Sequence, residues 1–537
     1  MTKSRRQVRI AILRDGQSVT RWQRTAIAIL PPDIEIDLLV AAEGPGEPRR
    51  VAHGLYYALN LIAIRNRLSR RVPFPDGAAR IGARFDFTPA FDGRWASLTP
   101  EVLDWLRERK IAAVVKFGLG LLRVPDEDAL AAPILSFHHG DPRGFRGRPA
   151  GFYELANGER YMGQIVQRLS NRLDAGTVLA FAQSRVVPHS YRQTLIEAWR
   201  LSPFLLPRAL EAVRSGTSVA IAPTGTNYRL PGNAQVARFV AQRVSRWARR
   251  MAYGATIEKR WKVATVAMNA VGGAGGADPV AAVAQAEGRR DKWAIADTPK
   301  GFNFLADPFF APDGSIFAEA LHATSGKGAL VQLVDGEAKS LAGGEGHFSY
   351  PGSIEEGGAT YLVPEIAGWS EPAIYRHGEG GLERVAAIDI EQCRLLDPTL
   401  LRHEGRVYLF ANRVEDGPGV LHLWSAEGLF GQFERHPSSP VRIGVRGSRM
   451  AGQIERWGET LFRLGQDWVD GYGDGIVAFP IETLTADRYR EGDPAPAAFG
   501  SVRGPHTLNH RGEMLLFDFY EERFAPLAGL RRIAARI

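Results

Sequence analysis

A histidine and an aspartate are the residues of this chain best suited to moving a proton. His138 ends the apolar run 134–137, and Asp174 follows after a helical interval and a further strand. An imidazole titrates near neutral pH and takes a proton from an attacking amine, while a carboxylate fixes the tautomer of the ring and stabilises the imidazolium. The spacing predicts that the two side chains meet and act as a general-base pair.

The elements around this pair read as an open parallel sheet. Apolar runs at 8–13, 34–41, 111–117 and 134–137 predict buried strands, and helices are expected at 18–30 and from Thr99 onward. Ligands in such sheets bind at the carboxyl ends of the strands, which is where residues 117–120 and 138–139 fall. The first half is therefore predicted to be a Rossmann-like α/β domain.

Length and composition indicate the general class of protein and its location. At 537 residues, with 45% hydrophobic and 23% charged residues, the chain predicts a multidomain globular protein. No apolar run approaches the roughly 18 residues of a membrane span, and the run after the basic start is too short for a secretory signal, so a cytoplasmic location is expected. A single cysteine, Cys393, excludes an internal disulfide and a cysteine-based metal cluster.

Charge divides the chain into unlike halves. Residues 1–262 carry 41 Lys and Arg against 22 Asp and Glu, whereas the remainder carries 26 against 37. A basic first half suits anionic ligands, although solvated surface arginines explain it equally well. The predicted organisation is a first domain at 1–228, a connector at 229–291 and a second domain at 292–537.

The predicted connector contains an amphipathic basic helix at 236–253 and a glycine-rich stretch at 272–277. The helix either docks on a domain with its arginines in water, which is the favoured interpretation, or makes weak contact with a membrane surface. The glycine-rich stretch does not follow a strand and open a helix, so it is not predicted to be a dinucleotide-binding loop.

Beyond Trp293 a unit of roughly 45 to 55 residues recurs, with a small or acidic residue, a strand, a glycine turn and an aromatic-rich strand. Five copies are visible, at 307–319, 349–365, 397–410, 450–462 and 504–517. Five copies of a four-stranded unit predict an all-β five-bladed propeller, a ring that leaves no exposed sheet edge.

The first half resembles the folate-dependent formyltransferases, which include methionyl-tRNA formyltransferase and the sugar N-formyltransferases. The resemblance rests on residues 136–147, 157–159, Gly163 and 173–176, and extends over roughly 8–215. It implies formyl transfer from 10-formyltetrahydrofolate to a primary amine, with His138 as base and Asp174 as its partner. Ser136 stands where the family has an asparagine that polarises the formyl carbonyl, and His139, a backbone amide or a water would have to supply that donor.

The same resemblance implies where the ligands bind. The segment Phe117, Gly118, Leu119, Gly120 and Leu121 would wrap the pterin, although a core strand explains it equally well. Arg143 and Arg146 would anchor phosphate or carboxylate groups, although Arg146 suits a purely structural role in its turn as well.

The second half resembles propellers of certain glycoside hydrolases and, more closely, the module at the start of plant glucosamine inositolphosphorylceramide transferases. Asp307, Glu319, Glu365 and Asp397 occupy equivalent places in the first three copies and are predicted to bind substrate in a central channel. Sugar binding, a structural role as turn-capping acids, and glycoside hydrolysis remain open.

The sequence thus predicts a formyltransferase that modifies an amino sugar, one carried on a nucleotide, for surface glycan synthesis. No metal is expected. No nucleic-acid partner is expected either, because an acidic second half repels RNA phosphates. Two alternatives remain: a catalytically impaired formyltransferase-like protein that binds carbohydrate or acts as a scaffold, and a propeller-based glycosidase or glycosyltransferase.

Overall fold

The computed structural model describes residues 8–44, 48–63, 65–74, 80–125, 132–268, 278–344, 346–469 and 471–534. The chain divides into two compact units, Met1–Ala248 (unit 1) and Arg249–Ile537 (unit 2). The division falls inside the predicted connector. The glycine-rich stretch at 272–277 lies outside the described residues.

Unit 1 is an α/β unit. Its described strands are β1 (Val8–Asp15), β2 (Ser18–Thr20), β3 (Ile34–Ala41), β4 (Arg71–Pro73), β5 (Ile81–Phe87), β6 (Ala90–Asp92), β7 (Trp95–Ser97), β8 (Ala113–Lys116), β9 (Leu121–Leu122), β10 (Ile134–His138), β11 (Phe145–Gly147), β12 (Tyr161–Arg168), β13 (Thr177–Arg185) and β14 (Thr226–Tyr228). Its described helices are α1 (Arg21–Ala28), α2 (Gly54–Ala63), α3 (Pro100–Glu108), α4 (Phe152–Asn157), α5 (Tyr191–Leu201), α6 (Leu205–Ser215) and α7 (Asn233–Thr256), which runs past the division.

Seven of the described strands form the main sheet, in the order β13-β12-β10-β8-β1-β3-β5. The five strands from β10 to β5 are parallel, which confirms the predicted parallel sheet, and β12 and β13 extend it with antiparallel pairing. The apolar runs of β1 and β8 are buried on both faces, as central parallel strands require. The predicted helix at 18–30 begins only at Arg21, because the Thr20 side chain and Gln23 form a capping box after the short strand β2.

Unit 2 is built mainly of strands. They are β15 (Ile257–Ala267), β16 (Ala294–Ile295), β17 (Phe302–Phe310), β18 (Ile316–His322), β19 (Gly328–Val334), β20 (Glu337–Ala342), β21 (Ser353–Glu356), β22 (Ala359–Leu362), β23 (Ala373–Gly378), β24 (Gly381–Ala387), β25 (Leu395–His403), β26 (Arg406–Arg413), β27 (Val420–Ala426), β28 (Glu434–Arg435), β29 (Arg442–Ile443), β30 (Arg446–Met450), β31 (Glu455–Trp457), β32 (Thr460–Asp467), β33 (Ile476–Leu484), β34 (Tyr489–Glu491), β35 (Ala495–Ala497), β36 (Leu508–Arg511) and β37 (Met514–Phe524). Helices α8 (Pro279–Glu287) and α9 (Ala528–Ala534) accompany them.

Within its described residues, unit 2 has five antiparallel sheets: β17–β20, β21–β24, β25–β29, β30–β35, and a fifth made of β16, β15, β37 and β36. The fifth sheet joins the two ends of the unit, since β15 pairs with β37 along its whole length. Each of the five predicted repeats falls in a different sheet, the fifth of them on β36 and β37. The predicted connector accordingly contains a strand, β15, that belongs to unit 2.

The amphipathic helix predicted at 236–253 lies within α7. Val236 and Phe239 are buried, and Phe239 stacks on Phe152 of α4 at 4.3 Å between ring centroids. Val244 and Trp247 of the same predicted face are exposed. Among the described residues, no helix has the length and apolar character that crossing a bilayer requires.

Candidate functional site

The structure brings His138 and Asp174 together. Nδ1 of His138, at the carboxyl end of β10, lies 3.3 Å from Oδ1 of Asp174, and the second carboxylate oxygen accepts the Gly147 amide at 2.9 Å. Asp174 has a left-handed backbone (φ 45°), and the turn continues through Gly176, where a Cβ would lie 1.9 Å from the Arg168 carbonyl oxygen. This tight turn before β13 aims the carboxylate at the ring.

The other nitrogen of His138 is also engaged. Its Nε2 lies 3.1 Å from the carbonyl oxygen of Phe145, which belongs to the short strand pair β11–β14. A neutral imidazole has one N–H and satisfies only one of the two oxygens. The cavity beside the ring measures only about 10 Å³, so the protein itself fills the space next to His138.

Ser136 does not offer its hydroxyl to this pair. Its Oγ lies 3.4 Å from the Phe137 carbonyl oxygen, which it contacts as a donor. On the neighbouring strand β8, Lys116 is the register partner of Ser136. Burial lowers the pKa of Lys116 to about 8, while the charges of Asp15 and Asp174 act in the opposite direction.

His139 lies apart from the pair. Its Nε2 donates to the Ser202 hydroxyl at 2.9 Å, and its ring packs edge-on against Trp22 and Trp199. Burial lowers its pKa to about 3, with the neighbouring His138 adding to the effect, so the ring is neutral. Successive residues of an extended chain point to opposite faces, which is why His139 enters the aromatic core instead of supplying the donor considered for it.

The segment predicted to wrap the pterin is packed against the protein. Phe117 stacks on Phe137, and Leu119 is buried in the core and donates its amide to Asp15 at 3.1 Å. Phe117 packs against the aromatic core. Gly118 lies against Asp15, Gly120 has a left-handed backbone, and Leu121 begins β9. Of this segment only Leu121 lies in a strand, and residues 117–120 form a loop packed on the protein, so its role in binding the pterin stays a prediction.

An aromatic cavity lies elsewhere in unit 1. Its volume is about 330 Å³, and its walls include Tyr56, Tyr191, Trp199 and Arg148. Arg148 and Pro149 also border the small space beside His138, so the two cavities are adjacent. Flat rings and one cation suit a planar anionic ligand. Sequence reasoning missed this cavity because its walls come from α2, α5 and a loop that are far apart in the chain.

The two arginines predicted as anchors already have partners. Arg143 is exposed and pairs with Asp141, with 2.6 Å between Nη2 and Oδ2. Arg146 donates its Nε to the Gly225 carbonyl at 2.8 Å, which fits the structural role considered for it.

In unit 2 the structure collects the four predicted acids into one charged network. Asp307 contacts His506, with 3.0 Å between Oδ1 and Nδ1, and accepts a hydrogen bond from Thr507 at 2.9 Å. Asp518 receives the amides of Asp307, His506 and Thr507. Burial disfavours the imidazolium, but the two carboxylates outweigh it and raise the pKa of His506 to about 10.

The second part of the network centres on Arg449. Its guanidinium binds both oxygens of Asp397 and lies 3.3 Å from Glu365, and Gln466 donates to Asp397 at 2.9 Å. Burial and the charge of Asp397 raise the pKa of Glu365 to about 8, although Arg449 opposes this. Burial and the charges of Asp307 and Glu365 raise the pKa of Glu319 well above its ordinary value.

Exposed aromatic rings border the network. Tyr472 is 43% exposed, and its ring lies 5.6 Å from the Arg449 guanidinium and 4.7 Å from the His506 ring. Trp369 is 39% exposed and donates to the carbonyl of His347, whose ring lies 3.6 Å from Glu319. Rings beside carboxylates are what a sugar needs, since its apolar face stacks and its hydroxyls donate.

Sequence reasoning missed Arg449 and His506. Arg449 lies near the end of β30, just before the fourth repeat, and His506 lies two residues before β36, within the fifth. Their places near the starts of the two loosest repeats, where the earlier copies carry Asp307 and Asp397, were the available signal. Asp307, His506 and Asp518 have the geometry to hold a metal ion, with ligand atoms within 4.8 Å of one another. A cation there would have to displace the proton that His506 holds.

Comparisons with known proteins fall on both parts of the chain. Residues 293–506 match the family model described as glucosamine inositolphosphorylceramide transferase 1, N-terminal. Relatives of that name include one from Arabidopsis thaliana, 28% identical over 229 residues, covering 38% of this chain and 29% of the relative. Another, from Oryza sativa subsp. japonica, is 26% identical over 239 residues, covering 40% of this chain and 32% of the relative. This chain therefore spans less than a third of the length of these relatives.

Solved formyltransferase structures are similar to the N-terminal part of the chain. Glycinamide ribonucleotide transformylase 1 from Symbiobacterium toebii is 18% identical, with a TM-score of 0.28, covering 40% of this chain and 92% of that one. A 4-N formyltransferase from Francisella tularensis is 10% identical, with a TM-score of 0.28, covering 44% and 88%.

Proposed function

We propose that unit 1 transfers a formyl group from 10-formyltetrahydrofolate to the amine of an amino sugar, one carried on a nucleotide, in surface glycan synthesis. The observation that carries this proposal is the contact of His138 with Asp174 at the carboxyl edge of the parallel sheet. It joins a base to its orienting carboxylate inside the sequence motif that resembles the formyltransferases.

In the proposed reaction the neutral amine attacks the formyl carbon and His138 accepts the proton that the amine loses. The tetrahedral intermediate then collapses, the bond from the formyl carbon to N10 breaks, and the proton passes to N10, which gives the formamide and tetrahydrofolate. Asp174 stabilises the imidazolium between these steps. The aromatic cavity that includes Tyr56 and Trp199 is proposed to hold a planar group of the cosubstrate or of the nucleotide.

The proposal requires the His138 ring to become accessible. Because Nε2 faces the Phe145 carbonyl and little space lies beside it, β11 and β14 must separate from the ring when substrates bind. Hydrogen exchange of peptides covering 145–147 and 226–228, with and without 5-formyltetrahydrofolate, tests this requirement. Faster exchange of these peptides with bound folate supports the requirement. Slower or unchanged exchange with bound folate, or a folate that does not bind, counts against it.

The decisive experiment incubates the whole protein with 10-formyltetrahydrofolate and a panel of nucleotide-linked amino sugars. Formylated product with the wild type, and a loss on the order of 100-fold or more in His138→Asn and Asp174→Asn, supports the proposal. Glu211→Gln, a change in an exposed pair with Arg214, is the matched control and should leave the rate unchanged. Absence of product with every sugar contradicts formyl transfer.

A second candidate is a carbohydrate-binding or scaffolding protein whose formyltransferase-like unit is inactive. Two observations favour it: the protein fills the space beside His138, and the Ser136 hydroxyl already donates to the Phe137 carbonyl. Binding of a sugar without turnover is the outcome that would select it.

For unit 2 we infer a five-bladed propeller whose central charged network binds carbohydrate. Neighbouring sheets are linked by Asn509 to the Pro308 carbonyl, Tyr350 to Thr399, and Arg449 to Asp397, and the Asn509 side chain accepts the Gln453 amide. These contacts and the pairing of β15 with β37 support a ring of five blades. The exposed rings of Tyr472 and Trp369, which lie beside carboxylates, support the inference that the network binds a sugar.

Titration with amino sugars and their N-acetylated forms tests this role. Tyr472→Ala is expected to weaken binding by about 10-fold or more, whereas Phe430→Ala, which removes an exposed ring outside the network, should not. If the network instead cleaves glycosides, Glu365, whose pKa of about 8 keeps it protonated, is suited to be the acid and Asp307 the base. Release of free sugar that survives Asp307→Asn and Asp397→Asn would exclude those residues from cleavage.

A further inference from the structure

We propose that the Lys116 ammonium polarises the formyl carbonyl, supplying the donor that the serine at position 136 does not. The inference rests on the proposed formyl transfer and adds a catalytic residue to it. It arises from the placement of Lys116 beside the His138–Asp174 pair.

Lys116 shares a row with the proposed base. It ends β8, and its register partner on β10 is Ser136, two residues before His138. In parallel strands, register partners point to the same face, and residues two apart on one strand do so as well. Lys116, Ser136 and His138 therefore lie on one face at the carboxyl edge of the sheet, where ligands bind in this class of fold.

The side chain of Lys116 has the reach that serine lacks. Serine carries its hydroxyl directly on Cβ, and the Oγ of Ser136 is turned to the Phe137 carbonyl. Lysine carries its ammonium on a flexible four-carbon stem, with three donors that rotate to meet an acceptor. A lysine one strand away can therefore reach the region in front of a short residue on β10.

The ammonium is also uncommitted. Within the described part of the chain Lys116 makes no hydrogen bond or ion pair, although it is partly buried and feels the charges of Asp15 and Asp174. A partly desolvated cation without a fixed partner stabilises a developing negative charge more strongly than an exposed one, because water screens it less. Its pKa of about 8 leaves it mostly protonated at pH 7.

Each atom has a defined role in this step. As the amine nitrogen bonds to the formyl carbon, the carbonyl π electrons move to oxygen, and an N–H of Lys116 donates to that oxygen. When the C–N10 bond breaks, the carbonyl reforms and the hydrogen bond weakens. Lys116 keeps its proton throughout, while His138 carries the proton from the amine to N10.

The test measures kcat and KM of the whole protein from pH 6 to 10 with Lys116→Met, Lys116→Arg and the control Lys110→Met, which alters an exposed lysine. We expect Lys116→Met to lower kcat by about 100-fold with KM within about threefold, and Lys116→Arg to restore at least a tenth of the activity. The wild-type rate should fall as pH rises through about 8, and in Lys116→Arg this fall should move to higher pH.

Two failures are distinguishable. Turnover by the wild type together with an unchanged kcat and an unchanged alkaline limb in Lys116→Met overturns the role of Lys116 alone. A wild type that forms no product overturns formyl transfer and the Lys116 role with it. Circular dichroism of both Lys116 variants separates a catalytic loss from misfolding.

Discussion

Replacing Arg449 by methionine removes the positive charge that Asp397 and Glu365 share. The Asp397 side chain is only 3% exposed and the Arg449 side chain 18% exposed, so water does not compensate for the loss. Removing one member of a buried ion pair costs about 3–5 kcal/mol, because the partner is left charged and desolvated. We expect this loss in the local stability of β25 and β30, which carry the pair.

The loss should depend on pH in a defined direction. Without Arg449, which lowers the pKa of Glu365, the folded-state pKa of this carboxyl rises further above its unfolded value of about 4. A carboxyl with a raised folded pKa destabilises the fold as pH rises through the window between the two values. The difference between wild type and Arg449→Met is therefore expected to be larger at pH 8 than at pH 5.

Native-state hydrogen exchange of peptides covering β25 and β30 measures the effect. Arg490→Met is the matched control, because Arg490 is 74% exposed in its pair with Glu482 and should change stability by less than about 1 kcal/mol. Adding Asp397→Asn to Arg449→Met should recover part of the loss. The reasoning is refuted if Arg449→Met behaves like Arg490→Met at both pH values.

Three further predictions follow from burial and backbone geometry. Unit 2 should lose stability as pH rises from 6.5 through about 10, since the raised pKa of His506 makes its proton stabilising; thermal unfolding of His506→Gln should lack this loss. Unit 1 should lose stability as pH falls from 6.5 towards 3, because His139 is buried neutral, and His139→Leu should remove this dependence; parallel curves would contradict the idea. Gly176→Ala should destabilise unit 1 by about 1–3 kcal/mol, because its Cβ would meet the Arg168 carbonyl, whereas Gly54→Ala has open space and should not; calorimetry checks both.

Local patterns predicted much of the fold. The apolar runs of β1, β8 and β10 predicted the parallel strands because strands buried on both faces must be apolar throughout. The position of Asp174 after a strand predicted its approach to His138. The sequence did not predict that Leu119 enters the core or that the Phe145 carbonyl covers His138, because both depend on how a loop folds back.

By itself the sequence determined the helices and strands, because strand burial, helix capping and the repeat of unit 2 depend on residues that are close along the chain. The tertiary structure decided which polar groups meet. Arg449 lies between Asp397 and Glu365, and Lys116 stands beside Ser136, because sheet packing and strand register bring together residues that are distant in sequence. Charge and burial at those meeting points, which no local pattern encodes, set the protonation of the groups and hence the chemistry open to them.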